Sequence, residues 1–201
     1  MIDVDPPLPE AEWLHRWSQR QKCRQAINPP FPQGVFEYDA IRVGPVRRLF
    51  SIVELDDFAR NEPSGIFEGF LSVLITELKL VDCWKRQMLL CNECCDSRIY
   101  ANATSVTCKS CEKSVSLRFN PCILAQVIDE SAAISGGALL LSNEAWNDLL
   151  GQQPDALLNL TLDQIKGIED RLLFARITLM FGWTGDESKA GGRICVLGAY
   201  N

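Results

Sequence analysis

Apolar residues change their spacing several times along this chain, and each change marks a different element. Near the start, Trp13 and Trp17 stand four apart with Leu14 beside them, a helical spacing that predicts a helix over Ala11 to Ala26. Arg16, Arg20, Lys22 and Arg24 make its other surface basic. Two tryptophans on a short helix need burial, either on this chain's own core or in a partner's groove, where Trp13, Leu14 and Trp17 would be the contact residues. Asn28 to Gly34, rich in proline, breaks any helix and reads as a linker. From Val46 the pattern turns to short β-like and turn segments that end at Asn61 to Gly65. A long apolar stretch, Ile66 to Trp84, follows. In it Phe70, Leu71, Val73, Leu74 and Ile75 leave little room for in/out alternation, which predicts a strand buried on both faces.

Beyond Met88 to Val115, the segments Leu117 to Ile128 and Gly137 to Leu141 read as further strands. Ser142 or Asn143 caps a short helix, Glu144 to Leu150, and Gly151 ends it. Pro154 to Leu160 reads as helical. Thr161 and Gln164 have capping-box spacing ahead of an amphipathic helix carrying Leu162, Ile165, Ile168, Leu172 and Leu173. Phe174 to Trp183 and Arg193 to Tyr200 read as two strands joined by a turn-rich segment. The order predicts an all-β fold with helices: a five-stranded OB-type barrel with a cysteine-bearing ribbon inserted early and a helical connection before the fourth strand. Residues 1–45 then form an N-terminal extension and 46–201 the barrel domain, with the ribbon at 88–115.

The ribbon is where residue type and spacing demand a particular chemistry. Cys91, Cys94, Cys108 and Cys111 make two CxxC pairs separated by thirteen residues, the pattern of four thiolates around one tetrahedral zinc at about 2.3 Å. Cys95 follows Cys94 directly, so a small change of register would make it the ligand instead. Nine cysteines is an odd number and no secretory signal opens the chain, both of which weigh against a disulfide framework. A zinc held by four sulfurs has no open position for water or substrate, so it is a structural staple and function lies elsewhere.

At 201 residues with 47% hydrophobic content, the chain can bury a full core. Its longest apolar runs are too short to span a bilayer, and the acidic, proline-rich start is unlike a targeting peptide; reduced, zinc-loaded cysteines then favour cytosol or nucleus. The formal charge of -6 argues against nucleic-acid binding by bulk electrostatics, although bases outnumber acids between Lys79 and Arg118. No phosphate-binding loop, dinucleotide fingerprint or HExxH occurs, and His15 is the only histidine. An enzyme is the least supported class, and nothing calls for a small-molecule substrate or a membrane. Trp146 and Trp183 read as core.

Several segments, taken in order, resemble the C-terminal DNA-binding domain of the replication protein A large subunit. They are Arg48 to Glu54 as a lead-in, Phe67 to Leu78 as first barrel strand, the CxxC ribbon, Cys122 to Asp129, the helix Ala145 to Gly151 ending in Leu-Leu-Gly, and Asp155 to Leu160. The resemblance covers about Val46 to Tyr200. It implies an OB fold that binds single-stranded DNA inside a multi-subunit nuclear complex without catalysis. The acidic charge, the third cysteine after the first CxxC and the stop directly after the last strand point to a diverged relative. Zinc-ribbon OB subunits of shieldin-type, CST-type or meiotic complexes are such relatives, so the implied setting is DNA repair, telomere maintenance or recombination. OB domains stack bases on aromatics and track phosphates with basic side chains. Here Trp84, Tyr100 and Phe119 are the aromatic candidates, with Lys85, Arg86, Arg98, Lys109 and Arg118 beside them; each aromatic can equally be a packing residue.

Overall fold

The protein is described here from a computed structural model, over residues 30–44, 48–91, 94–95, 99–101, 103–119, 123–186 and 189–200. The expected helix of Trp13, Leu14 and Trp17 lies outside these residues. The long apolar stretch forms β2 (Ile66–Leu78), which is the spine of the sheet. Leu71, Val73 and Ile75 point into the main core, while Phe70 packs in a second cluster on the opposite face, which explains the lost alternation.

Along one edge, β2 pairs antiparallel with β11 (Arg176–Thr184), from Leu74↔Arg176 to Ile66↔Thr184. Its other neighbours are β1 (Leu49–Phe50), parallel, and β8 (Leu124–Ile128), antiparallel. β8 turns back into β9 (Ala133–Ser135), and on the far side β11 pairs with β12 (Ile194–Tyr200), which pairs parallel with β10 (Leu139–Leu141). The path therefore runs β10-β12-β11-β2-β8-β9. Its two ends are consecutive in the chain, joined only by a 3-10 turn, Gly136–Ala138, so the sheet curls on itself into an OB-like half-barrel. The third barrel strand is split in two by that turn.

The helical connection lies between β10 and β11 as expected. In α4 (Asn143–Leu150), the fourth α-helix among the described residues, the Ser142 hydroxyl accepts from Ala145 N–H at 3.0 Å and donates to the Leu197 carbonyl at 3.0 Å, tying the helix to β12. Gly151, at φ 73, ends it in the left-handed conformation. A 3-10 segment, Pro154–Asn159, leads to α5 (Leu162–Leu172), which opens with the Thr161/Gln164 capping box. Trp146 and Trp183 are buried in the main core.

Three elements differ from expectation. Ile52–Asn61 is a helix, α2, rather than β-like and turn segments. Ser51 and Glu54 form its capping box, with Glu54 Oε2 accepting from Ser51 N–H at 2.8 Å. Trp84 belongs to a helix, α3 (Leu80–Arg86), that follows β2 and packs on α5, not to the strand itself. Finally, packing continues N-terminal to residue 46. Helix α1 (Tyr38–Val43) and the residues before it lay Phe31, Val35, Phe36 and Ile41 over Phe70, Met180, Cys195 and Leu197 on the outer face of the sheet. A Cβ on Gly182 would collide with the Phe36 ring, so this glycine makes room for the covering segment. Among the described residues no helix is long and apolar enough to cross a membrane.

Candidate metal centre and nucleic-acid interface

The inserted ribbon leaves the barrel between α3 and β8. Its root is a three-stranded sheet: β3 (Leu89–Cys91) pairs with β4 (Ile99–Ala101) on one side and with β7 (Arg118–Phe119) on the other. Its tip is a hairpin of β5 (Ser105–Thr107) and β6 (Ser114–Ser116), in which Val106 faces Val115. Root and barrel share a core, since Leu89, Leu117 and Phe119 pack in the main cluster.

The hairpin turn carries the second cysteine pair. Cys108 N–H donates to the Lys113 carbonyl and Glu112 N–H to the Cys108 carbonyl, each at 2.9 Å, which folds Cys108 and Cys111 toward the same side. Glu112 then sits in the left-handed region at φ 56. Cys95 does the same at φ 52, also directly after the second cysteine of its pair. The residue that follows each pair thus has the same left-handed conformation.

Four sulfurs converge, those of Cys94, Cys95, Cys108 and Cys111, all within 4.8 Å of one another. Cys94 Sγ lies 3.5 Å from Cys111 Sγ and 3.9 Å from Cys95 Sγ. Zinc at about 2.3 Å from each sulfur of a tetrahedron sets S···S edges of about 3.8 Å, so these residues fit the ion. Three of the four expected ligands are therefore brought together, with Cys95 in the place expected of Cys91. The reason is local. Cys91 is the last residue of β3, in register with Ile99, and packs against the main apolar core, whereas the left-handed turn swings the Cys95 sulfur into the group.

Backbone donors and neighbouring sulfurs polarise the cluster. N–H groups of Ser110, at 3.4 Å, and Cys111 bond the Cys108 sulfur and pull its thiol down to about 6. The sulfurs of Cys111 and Cys108 push the Cys94 thiol well above its ordinary value, and Cys111 raises that of Cys95. Packed without a cation, the Cys94 and Cys95 thiols hold their protons while the Cys108 thiol gives its up more readily. A divalent ion reverses the sign by displacing protons from sulfur, which is the chemistry this donor set suits. With four sulfurs bound it leaves no open position, so the centre can organise the ribbon but not activate water.

The comparisons with known proteins bear on shape alone. A chain of a replication protein A heterotrimer, in a structure solved bound to ssDNA, superposes on this one with a TM-score of 0.52 at 13% sequence identity. The fold is shared. The match covers all of this chain, 100%, and 45% of the other, so this chain spans less than half the length of that relative. No protein-family model matches the sequence, and no curated protein matches it either.

The expected DNA-contacting residues divide by burial. Lys85 and Arg86 are exposed at the end of α3, and Lys109 is exposed in the second cysteine turn. Trp84 is half-buried and packs against the main core. Phe119 is only 3% exposed and lies within that core, so its ring offers no face to a base. Arg118 is half-buried, and its Nη1 donates to Asn143 Oδ1 at 2.7 Å, linking ribbon root to α4. Arg98 and the side chain of Tyr100 lie outside the described residues. Reading the sequence missed a cleft of about 450 Å³ between α2 and the end of the barrel, walled by Ile52, Leu55, Ala59, Ile134, Trp183 and Ile194. Its signal was the Ser51/Glu54 capping box, which announces the helix that forms one wall.

Proposed function

We propose that this chain is a non-catalytic OB-fold module of a single-stranded-DNA-binding complex, acting in the nucleus in DNA repair, telomere maintenance or recombination. The observation that carries this reading is the position of the cysteine ribbon, inserted between the first and second strands of an OB-like half-barrel. The shape shared with a chain of an ssDNA-bound replication protein A heterotrimer supports it. One structural zinc holds the ribbon tip. Lys85, Arg86 and Lys109 supply exposed positive charge for phosphates, and Trp84 borders them. Arg98 and Tyr100 extend the proposed contact set. Other subunits of the complex are the remaining partners, with Trp13, Leu14 and Trp17 as the proposed docking residues.

The test is binding of the zinc-loaded chain to oligo-dT of increasing length across a salt series. Affinity should fall as salt rises, and K85E/R86E should weaken binding and flatten the salt dependence by about 0.7 log units per phosphate no longer neutralised. No binding at low salt would overturn the DNA reading. The excess of acids over bases, 26 against 20, favours a second reading, a scaffold with little DNA affinity that docks a partner. Co-purification with and without residues 1–29 separates the two uses, because that deletion spares the packing of 30–44 on the sheet. A partner lost on deletion supports docking through Trp13 and Trp17; an unchanged partner profile removes that segment from the scaffold reading.

A further inference from the structure

The ribbon holds five cysteines for four coordination positions. We infer that Cys95, together with Cys94, Cys108 and Cys111, binds the zinc, and that Cys91 is a reserve ligand able to take the place of Cys95. This rests on the zinc reading above and goes beyond it in assigning the sulfurs.

Three observations carry the assignment. Cys95 Sγ is already within the group whose members all lie within 4.8 Å of one another, and Cys91 Sγ is not. The backbone places Cys95 there: at φ 52 it occupies the position that Glu112, at φ 56, occupies after the second pair. Both positions are exposed, but in the second turn the side chain is a carboxylate and in the first it is a sulfur that lies among the other three. The left-handed conformation is costly for a residue with a Cβ, and a metal bond is an interaction that would hold it there. Cys91 meanwhile is half-buried at the end of β3, three positions before Cys94, the spacing at which a CxxC turn points two sulfurs at one ion. It is close in sequence to the site and supported by β-pairing to Ile99, so it can enter without refolding the hairpin of β5 and β6.

Exchange between the two conserves atoms and charge. The incoming Cys91 thiol gives up its proton as its sulfur bonds zinc, and the departing Cys95 thiolate takes one up as its zinc bond breaks. No oxidant or reductant takes part, and the ion would be four-coordinate on sulfur before and after the exchange. With Cys95 bound, the zinc ties together only the two ribbon turns. With Cys91 bound, it ties them to β3 and through it to β7, which shares the barrel core.

The experiment uses the full chain loaded with zinc, its cobalt-substituted form, and the variants Cys91→Ser, Cys95→Ser and the double variant. Each single variant is expected to keep about one zinc per chain and the intense sulfur-to-cobalt charge-transfer band of four thiolates, and the double variant to lose both. In the wild type, brief iodoacetamide treatment followed by peptide mass mapping should mark Cys91 and spare Cys95. Cys83 and Cys195 are buried, and burial pushes the Cys195 thiol up to about 12, so neither should compete for the reagent. If Cys91→Ser alone abolishes zinc binding while Cys95→Ser keeps it, and Cys95 is the residue alkylated, the assignment is overturned and the zinc itself stands. Zinc retained by the double variant Cys108→Ser/Cys111→Ser, which leaves only three ribbon cysteines, would instead overturn the metal reading on which the assignment rests.

Discussion

Asp129 joins two parts of the barrel that lie 77 residues apart. Its Oδ2 accepts from the Ile52 N–H at 2.6 Å, and Oδ1 accepts from the N–H of Ser131 and Ala132 and from the Ser131 hydroxyl. Ser131 Oγ in turn accepts from Val53 N–H at 3.1 Å. The turn between β8 and β9 thus satisfies two orphan donors at the start of α2 and fixes where that helix docks. Burial alone would raise the Asp129 pKa, but the bonds from Ser131, Ile52 and Ala132 outweigh it and hold the carboxyl below its ordinary value. A depressed pKa stabilises the fold fully above the ordinary carboxylate range, about pH 4, and that stability is lost as pH falls through the lower folded-state value. Asp129→Ala should lower the unfolding free energy in urea by about 1–2 kcal/mol at neutral pH, with the gap to wild type closing on acidification. A constant gap down to acid pH would show that the charge is not what matters. Nothing in the sequence links residues 52 and 129. A strand ending in Ile-Asp was legible; that the aspartate caps a distant helix was not, because such a bond exists only once the sheet has brought the two together.

Elements with their own local signals were legible, and those set by tertiary fit were not. α4 and α5 were readable because caps, apolar period and terminating residues lie next to one another in sequence. α2 has a complete capping box as well, yet it buries only Ile52 and Leu55 fully, and its many charges hide so narrow an apolar stripe. The split third strand had no local signal. Its break lies at Gly136, where the chain crosses so close to β8 that a Cβ would run into the Leu124 carbonyl oxygen. Backbone faces backbone there, with no flexible side chain to move aside. Gly136→Ala should therefore cost at least about 2–3 kcal/mol, read as a lowered urea midpoint, and loosen the parallel pairing of β10 with β12. Gly137→Ala is the control, since a Cβ there meets nothing within 4 Å. Equal effects at the two positions would mean that chain entropy, not the close approach, limits this corner. In the metal site the residue types and the second cysteine pair were readable from spacing. The partition between Cys91 and Cys95 was not, because it depends on a single left-handed residue that spacing does not encode.

For the molecule as a whole, the core divides the ribbon in two. Leu89, Leu117 and Phe119 place its root inside the barrel's main cluster, whereas in β5 and β6 only Val106 and Val115 are even half-buried. A two-stranded hairpin with so little apolar cover is marginal on its own. On the zinc reading proposed above, metal binding supplies its folding free energy, while the barrel draws on Leu71, Ile75, Leu179, Phe181 and Val196, all fully buried. Removing zinc with a chelator should strip hydrogen-exchange protection from Val106 and Val115 and leave it on β2, β11 and β12. If the barrel amides lose protection together with the hairpin, ribbon and barrel are one cooperative unit and the division is wrong. The same zinc-free sample bears on the DNA reading. Lys109 lies in the cysteine turn and loses its place when the tip melts, but Lys85 and Arg86 sit on α3, which packs on α5 and does not depend on the metal. Oligo-dT affinity should then fall only in part on chelation, with the salt dependence reduced by about 0.7 for the single phosphate that Lys109 would neutralise. Complete loss of binding with the barrel amides still protected would place the main DNA-binding surface on the ribbon tip and remove α3 from it.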